Sequence, residues 1–164
     1  MRRNPHLLLC SVLFAIVVSA CGGGSAADAG TDPRDSFVGV FSLSRTKPVT
    51  VDGQTDMQNG QLKLSIAKAT AMTKISLSSS DSADCVVTAT VTSTTSFTVD
   101  PVTCPAVMLT GDNQGCTEVD QYLGGTASST GTTFNFNANG NASLTCDGQA
   151  YQGTFTLTAS GTKV

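Results

Sequence analysis

The chain of 164 residues contains no tryptophan, and its single histidine is His6, close to its start. Catalytic Ser-His-Asp and Cys-His arrangements are therefore excluded for everything beyond that residue. Only 13% of the residues are charged, and the Lys and Arg residues are scattered along the chain. Nucleic-acid binding needs clustered basic residues, so we expect no nucleic-acid partner.

Long apolar runs are also scarce, and the one present is Leu7–Val18, preceded by Arg2 and Arg3. A basic start followed by a twelve-residue apolar core is typical of a secretory signal peptide. A helix that spans a bilayer needs about twenty apolar residues, and no later run reaches that length. The alternative is that this run forms a buried or membrane-spanning helix.

The apolar run ends in Val18-Ser19-Ala20-Cys21. An aliphatic residue, two small residues and a cysteine resemble the lipobox of bacterial lipoproteins. The resemblance implies cleavage before Cys21, a diacylglycerol on its thiol, and an acyl chain such as palmitate on its new amino group. Two or more acyl chains would anchor the protein stably to a membrane. Since Gly22 replaces the aspartate that often retains such proteins in the inner membrane, the resemblance favours the outer membrane.

The alternative is an ordinary secretory signal that happens to end at a cysteine. On the lipoprotein interpretation the chain has three parts. Residues 1–20 are a signal peptide that is removed, residues 21–35 are the lipidated cysteine with a flexible tether, and residues 36–164 are a β domain. The tether is predicted because Gly, Ala, Ser, Asp and Pro dominate it. Residues 21–164 keep seven basic and twelve acidic residues, which gives a formal charge of −5.

The β domain is predicted from short runs that alternate apolar and polar residues and are rich in threonine. These runs cover residues 37–44, 61–67, 74–78, 85–92, 96–99, 119–128, 132–138, 142–146 and 151–159. We expect an all-β, antiparallel meander of about eight or nine strands, either a barrel or a two-layer sandwich. The alternative of disorder is disfavoured because most runs carry two or three large apolar residues.

Side-chain parity predicts the last turns of the meander. Phe134, Phe136, Ala142 and Leu144 occupy even positions, so a hairpin between them needs a loop of odd length, and Asn139–Asn141 supplies it. The following hairpin needs an even loop, either Asp147-Gly148 or the four residues through Ala150. Earlier in the chain, Gly124-Gly125 suggests a bulge or bend.

Six cysteines are present, of which Cys10 would leave with the signal and Cys21 would carry lipid. An even number in an exported domain indicates disulfides, and three pairings of the remaining four are possible. The hairpin predicted over residues 85–99 favours one of them, because a three-residue loop at Ser93–Thr95 places residue 85 opposite residue 103. The favoured pairs are Cys85–Cys104 and Cys116–Cys146. A zinc site is disfavoured, since the spacing contains no C-x₂-C pair.

The stretch DCVVTATVTSTTSFTVDPVTC, residues 84–104, is similar to a pattern in small bacterial lipoproteins. That resemblance implies no activity. Separately, Gly39-Val40-Phe41 resembles the opening strand of lipocalin-like barrels, in which a glycine stands two residues before a tryptophan. Phenylalanine takes the place of that tryptophan here, and the resemblance implies no particular ligand.

Two acidic pairs are candidates for catalysis, Asp81 with Asp84 and Glu118 with Asp120. Both are expected at strand or loop edges as solvated surface carboxylates, so we predict no catalytic residue and no enzyme. Two oxygen-rich stretches could bind calcium: Asp52, Gln54, Asp56 and Asn59 in one, and residues 111–115 in the other. The first departs from the EF-hand loop because Met57 occupies the glycine position, and turn chemistry explains both stretches. We therefore predict no metal or cofactor site.

These patterns predict a cell-envelope protein held to the membrane by lipid on Cys21, on the periplasmic or surface side. Its expected role is that of a non-catalytic binding or interaction module, and the sequence leaves open whether it binds a protein partner or a small apolar ligand. The alternative is a carrier with a lipocalin-like cavity for a small apolar ligand.

Overall fold

The structure, a computed structural model, describes residues 31–110 and 114–164. Within these residues the chain is mostly β strand, and one short 3-10 helix, Pro33–Ser36, precedes the strands. The predicted all-β fold class is confirmed. The strands are β1 (Gly39–Val51), β2 (Gln54–Lys68), β3 (Lys74–Ser79), β4 (Ser82–Ser93), β5 (Ser96–Val99), β6 (Val102–Thr103), β7 (Val107–Met108), β8 (Thr117–Ser129), β9 (Thr133–Cys146) and β10 (Gln149–Lys163).

Strands that follow one another in the chain lie side by side, β1 to β5 in one antiparallel series and β8 to β10 in another. β10 pairs with β1 and β5 pairs with β8, so the two series join at both ends into a ring of eight strands. The ring is uneven because β3 and β5 have six and four residues, whereas β2 and β10 have fifteen each. The result is an antiparallel meander closed into a barrel-like ring.

At one end of the ring two neighbouring segments are not paired: the first half of β4 and the segment that carries β6 and β7. This gap is called the parting below. β4 pairs with β5 as far as Ala89 opposite Val99, and the earlier half of β4 is paired with β3. The chain after β5 continues along β8 instead, with Val102 of β6 opposite Tyr122 and Val107 of β7 opposite Glu118. In the part of the chain that the structure describes, no ladder pair joins the first half of β4 to β6 or β7. This edge of the ring is therefore not closed by strand pairing.

One disulfide bridges this parting. Cys85 on β4 is bonded to Cys104 after β6, with 5.0 Å between the Cα atoms. The second disulfide joins Cys116, before β8, to Cys146 at the end of β9. This is the pairing that the hairpin argument favoured. The turn between β4 and β5 differs from the prediction, because Ser93 pairs with Ser96 and a bulge takes up the extra residue.

Two Asp-Gly turns define the longest hairpins. Asp147-Gly148 connects β9 to β10 with Cys146 opposite Gln149, as predicted for an even loop. Asp52-Gly53 connects β1 to β2 in the same way, and all four residues have positive φ angles. Positive φ at both central residues defines the type I′ turn that matches strand twist. β1 therefore extends to Val51, seven residues beyond the predicted end of the first strand.

The predicted loop at Asn139–Asn141 is wrong, because β9 runs without a break from Thr133 to Cys146. An unbroken strand keeps even positions on one face just as an odd loop does, so parity could not distinguish the two. Gly140 is buried within the strand, where the ring of Phe155 packs against its backbone. A Cβ atom there would lie 2.5 Å from Cζ of Phe155 and would overlap the carbonyl oxygen of Gln121.

The core divides into two clusters toward opposite ends of β1. The larger one holds most of the buried phenylalanines, with ring centroids 4.8 Å apart for Phe41 and Phe134 and 5.9 Å apart for Phe97 and Phe134. The smaller cluster consists of Val49, Ala138, Ala142, Phe155 and Leu157. Fully burying one such side chain stabilises the fold by about 1.5–3 kcal/mol, so the larger cluster dominates stability.

The folded unit begins at Thr31, within the segment assigned by sequence to the tether. Arg34 is buried, and its guanidinium donates to the carbonyl oxygens of Ala69 and Ala71 and to the Asp32 carboxylate. Hydrogen bonds from Arg34 hold the pKa of Asp32 well below its usual range, and Lys68 contributes to the same shift. Residues 31–35 are therefore part of the domain. The predicted signal peptide, Cys21 and residues 22–30 lie outside the described residues.

We expect Gly140→Val to lower the free energy of unfolding by about 2–3 kcal/mol, because the new side chain must displace the Phe155 ring and the β8 backbone. Asn139→Val is the matched control, since Asn139 is the exposed neighbour on the same strand and should shift stability by less than about 0.5 kcal/mol. Urea denaturation of both variants measures the difference. Equal effects would contradict the close packing inferred at Gly140.

Candidate functional site

A cavity of about 180 Å³ lies inside the ring and reaches the surface at the parting. Its inner wall is apolar and includes Leu43, Leu64, Leu77 and Phe136. Near the parting it is lined by the turn between β3 and β4 and by residues 104–109, where Val107 is 39% exposed. The interior is therefore not fully packed, and its unfilled part has an apolar end and a polar end.

The polar end is built around Lys47, whose side chain is only 5% exposed. Its ammonium donates to Oε1 of Glu118 at 2.8 Å and to Oδ2 of Asp120 at 2.6 Å. It also lies 4.7 Å from the centre of the Phe155 ring. Buried ammonium groups require such partners, since an unpaired charge in a dry interior is strongly disfavoured. Lys47, Glu118 and Asp120 are called the ion triad below.

The charges of the ion triad do not balance, because one cation lies between two carboxylates. Burial raises the pKa of the Asp120 carboxyl above its ordinary value; Lys47 opposes that shift and Glu118 adds to it. Burial likewise raises the pKa of the Tyr122 hydroxyl, again with a contribution from Asp120. Both shifts follow from the cost of placing negative charge in a poorly solvated site.

A second ion pair lines the cavity closer to its mouth. Arg45 contacts Asp81 with 3.1 Å between Nη1 and Oδ2, and both side chains are about a quarter exposed. Among the described residues, three buried side-chain polar atoms have no hydrogen-bond partner, and two belong to cavity-lining residues. They are Nε of Arg45, a donor, and Oδ1 of Asp120, an acceptor. Two residues of the cavity wall, Arg45 and Asp120, thus each carry one buried polar atom without a partner.

Strand alternation explains how these residues reach the interior. On β1, Arg45 and Lys47 continue the inward-facing series of Phe41 and Leu43. On β8, residues 118, 120 and 122 face inward, and a register shift between Tyr122 and Gly124 then moves the inward positions to odd numbers. The bulge suggested by Gly124-Gly125 is thus present, and it allows both halves of β8 to contribute to the core.

The structure changes the interpretation of one acidic pair. Glu118 and Asp120 were expected to be solvated surface carboxylates, and this is wrong, because Glu118 is 6% exposed and both residues bond to Lys47. Asp81 lies at the cavity mouth, whereas Asp84 is exposed and does not line the cavity. The structure does not bring these two together as a pair.

The first of the two calcium candidates spans a turn and part of a strand. Asp52 lies in the turn between β1 and β2, while Asp56 and Asn59 follow on β2 as exposed residues on alternate faces. Residues 111–113 of the second stretch are outside the described part of the chain. No group of three or more His, Cys, Asp or Glu side chains within residues 31–110 and 114–164 could hold a metal ion.

Sequence reasoning missed Arg45 and Lys47. Two features of the sequence could have indicated that these residues face inward. Both occupy odd-numbered positions, like Phe41 and Leu43, and the Asp52-Gly53 turn requires β1 to continue past Ser44. Charged residues at inward positions are unusual unless they are paired. Their partners are distant in the chain: Glu118 and Asp120 on β8 for Lys47, and Asp81 between β3 and β4 for Arg45.

Comparisons with protein-family models, curated proteins and solved structures give no match. In the described residues, no helix has the length and apolar character needed to cross a bilayer. The two disulfides indicate an oxidising, extracytoplasmic location.

We expect Lys47→Met to lower the free energy of unfolding by about 3–5 kcal/mol at neutral pH, because it leaves Glu118 and Asp120 buried without a cation. The pKa of the Asp120 carboxyl in the folded state would then rise further, so folding would be coupled to proton uptake. The deficit should be full above the raised pKa and should shrink as the pH falls toward the ordinary carboxyl range of about 4. Urea denaturation of variant and parent at several pH values measures it.

Lys63→Met serves as the control for this substitution, since Lys63 is exposed on β2. Its effect should be small and should not vary with pH in the same way. A Lys47→Met deficit that stays constant between neutral and acidic pH would contradict the proposed electrostatic role of the ion triad.

Proposed function

We propose that the protein is a lipid-anchored, non-catalytic binding module of the cell envelope, and that its interior cavity receives a small ligand. The observation that carries this proposal is the cavity itself, which has an apolar inner wall and a polar end near an opening. Concave, largely apolar sites with a few convergent polar groups are the usual form of ligand sites. The cavity favours the carrier interpretation over a module that recognises a protein partner.

The volume limits the size of the ligand. A cavity of about 150 Å³ lined by apolar residues can hold benzene. The present cavity of about 180 Å³ therefore suits a body the size of one aromatic ring with a short substituent. Larger ligands would have to extend through the parting into solvent.

Support for a non-catalytic role comes from the state of the carboxylates. Glu118 and Asp120 share the Lys47 ammonium, and Asp81 contacts Arg45. Carboxylates that act together in acid–base chemistry need one protonated and one ionised member poised on a substrate. Shared ion pairing of this kind instead suits a fixed wall that orients a bound molecule.

The anchor is proposed from the sequence. The extracytoplasmic location indicated by the disulfides is compatible with export by residues 1–20 and with lipid on Cys21. Placement in the outer membrane follows the resemblance to lipoproteins and the residue at position 22. The domain would then stand close to the membrane through residues 22–30.

Filling the cavity should abolish ligand binding. We expect Val87→Phe, on the cavity wall, to eliminate saturation-transfer NMR signals from the neutral probe benzyl alcohol, which the parent should show. Val86→Phe is the matched control, because Val86 is the adjacent residue on β4 and is 52% exposed. Thermal unfolding followed by circular dichroism confirms that both variants are folded. Binding that survives in Val87→Phe would contradict the cavity as the binding site.

Mass spectrometry of the protein purified from bacterial membranes tests the anchor. The parent should begin at residue 21 and carry the mass of a diacylglycerol with or without a further acyl chain, whereas Cys21→Ser should carry none. Cys10→Ser is the control, because residue 10 would be removed with the signal. An unmodified parent thiol would contradict the lipoprotein proposal.

A further inference from the structure

The charges that line the cavity do not balance. Two cations, Arg45 and Lys47, face three carboxylates, those of Asp81, Glu118 and Asp120. The Arg45–Asp81 pair is neutral as a unit, so the excess negative charge belongs to the ion triad. Since Glu118 and Lys47 are almost completely buried, solvent screens this excess poorly.

The carboxylate oxygens of the ion triad also lack some of the hydrogen bonds that they could accept. The Lys47 ammonium bonds to one oxygen of each carboxylate and lies over the Phe155 ring, so its donors are occupied. Among the described residues, Oε2 of Glu118 accepts only from Nε2 of Gln58, at 3.5 Å, and Oδ1 of Asp120 is buried without a partner. A buried carboxylate oxygen without a donor is energetically unfavourable.

An aromatic side chain follows the two carboxylates along β8. Tyr122 follows Asp120 on the same face of β8 and lines the cavity, and it is held edge-on to Phe155 with 5.2 Å between ring centroids. Aromatic faces attract cations, more strongly where water is excluded. Carboxylates, excess negative charge and an aromatic ring are thus combined in a cavity whose inner wall is apolar.

We propose that the ligand of this cavity is a small primary amine with an apolar body, whose ammonium donates to Asp120 and whose body lies against the leucines of the inner wall. This inference rests on the proposed ligand-binding function and specifies its ligand class. An ammonium supplies three donors and one positive charge, so it can donate to the Asp120 carboxylate and neutralise the ion triad.

Two other ligand classes, carboxylates and neutral alcohols, match the charge of the cavity less well. A carboxylate ligand could approach the Arg45 guanidinium, but it would add a fourth negative charge to the cavity. A neutral alcohol could donate to Asp120 but would leave the excess charge in place. Burial raises the pKa of the Asp120 carboxyl although Lys47 opposes the shift, and a ligand cation beside it would favour the ionised form.

The test compares benzylamine, benzyl alcohol and benzoate, which share one aromatic ring and differ in the charge of the substituent. We expect the purified protein to bind benzylamine about tenfold more tightly than benzyl alcohol, as for one charge-assisted hydrogen bond, and benzoate most weakly. Titration by NMR chemical shifts gives the three dissociation constants. Asp120→Asn should bring benzylamine to within about threefold of benzyl alcohol, because Asn keeps the size of the side chain and removes its charge.

Asp84→Asn is the matched control, because Asp84 is an exposed carboxylate on β4 that does not line the cavity, and it should preserve the preference. Glu118→Gln is a second variant in case Asp120→Asn fails to fold, and it should weaken benzylamine selectively. The comparison of the three probes with the parent protein is informative without any variant.

The outcomes separate this inference from the proposed function. Equal binding of amine and alcohol, tighter binding of benzoate, or a preference for amine that survives Asp120→Asn would overturn the amine inference while leaving the cavity a ligand site. Failure of all three probes to bind the parent would overturn the proposed function together with the inference.

Discussion

Closing strands into a ring forces every second residue of each strand into the interior, and this constraint determines the rest of the structure. On β1 the inward series begins with Phe41 and Leu43 and must then place Arg45 and Lys47 inside as well. The charge of Lys47 is tolerated because β8 brings Glu118 and Asp120 to it at 2.8 and 2.6 Å. The same alternation of inward and outward residues therefore produces the apolar core along one part of these strands and the buried ion triad along the next.

The cavity depends on where the ring is incomplete. β5 is short, and the chain after it follows β8 rather than β4, so the two edges separate beyond Ala89 and Val99. The Cys85–Cys104 disulfide limits that separation without filling it. An opening held by a covalent bond at a fixed width allows access to a preformed site, which reduces the ordering needed on binding.

Much of the fold could be predicted from the sequence, because alternation, turn chemistry and cysteine pairing are local signals. The strand pattern, the even turn at Asp147-Gly148 and the disulfide pairs were all accessible in this way. The loop proposed at Asn139–Asn141 was wrong because parity is the same for a straight strand and for an odd hairpin. Gly140 is required by the ring of Phe155, a contact between strands that no local pattern reveals.

The sequence by itself determined the all-β class, the alternation of buried and exposed residues, and the cysteines that pair; the prediction of a lipid on Cys21 also rests on it alone. Only the tertiary structure decided that the meander closes, where it parts, and that a lysine and two carboxylates meet in its interior. The physical reason is distance along the chain, since Lys47 and Glu118 are 71 positions apart. Their encounter depends on the pairing of whole strands, and local propensities carry no information about it.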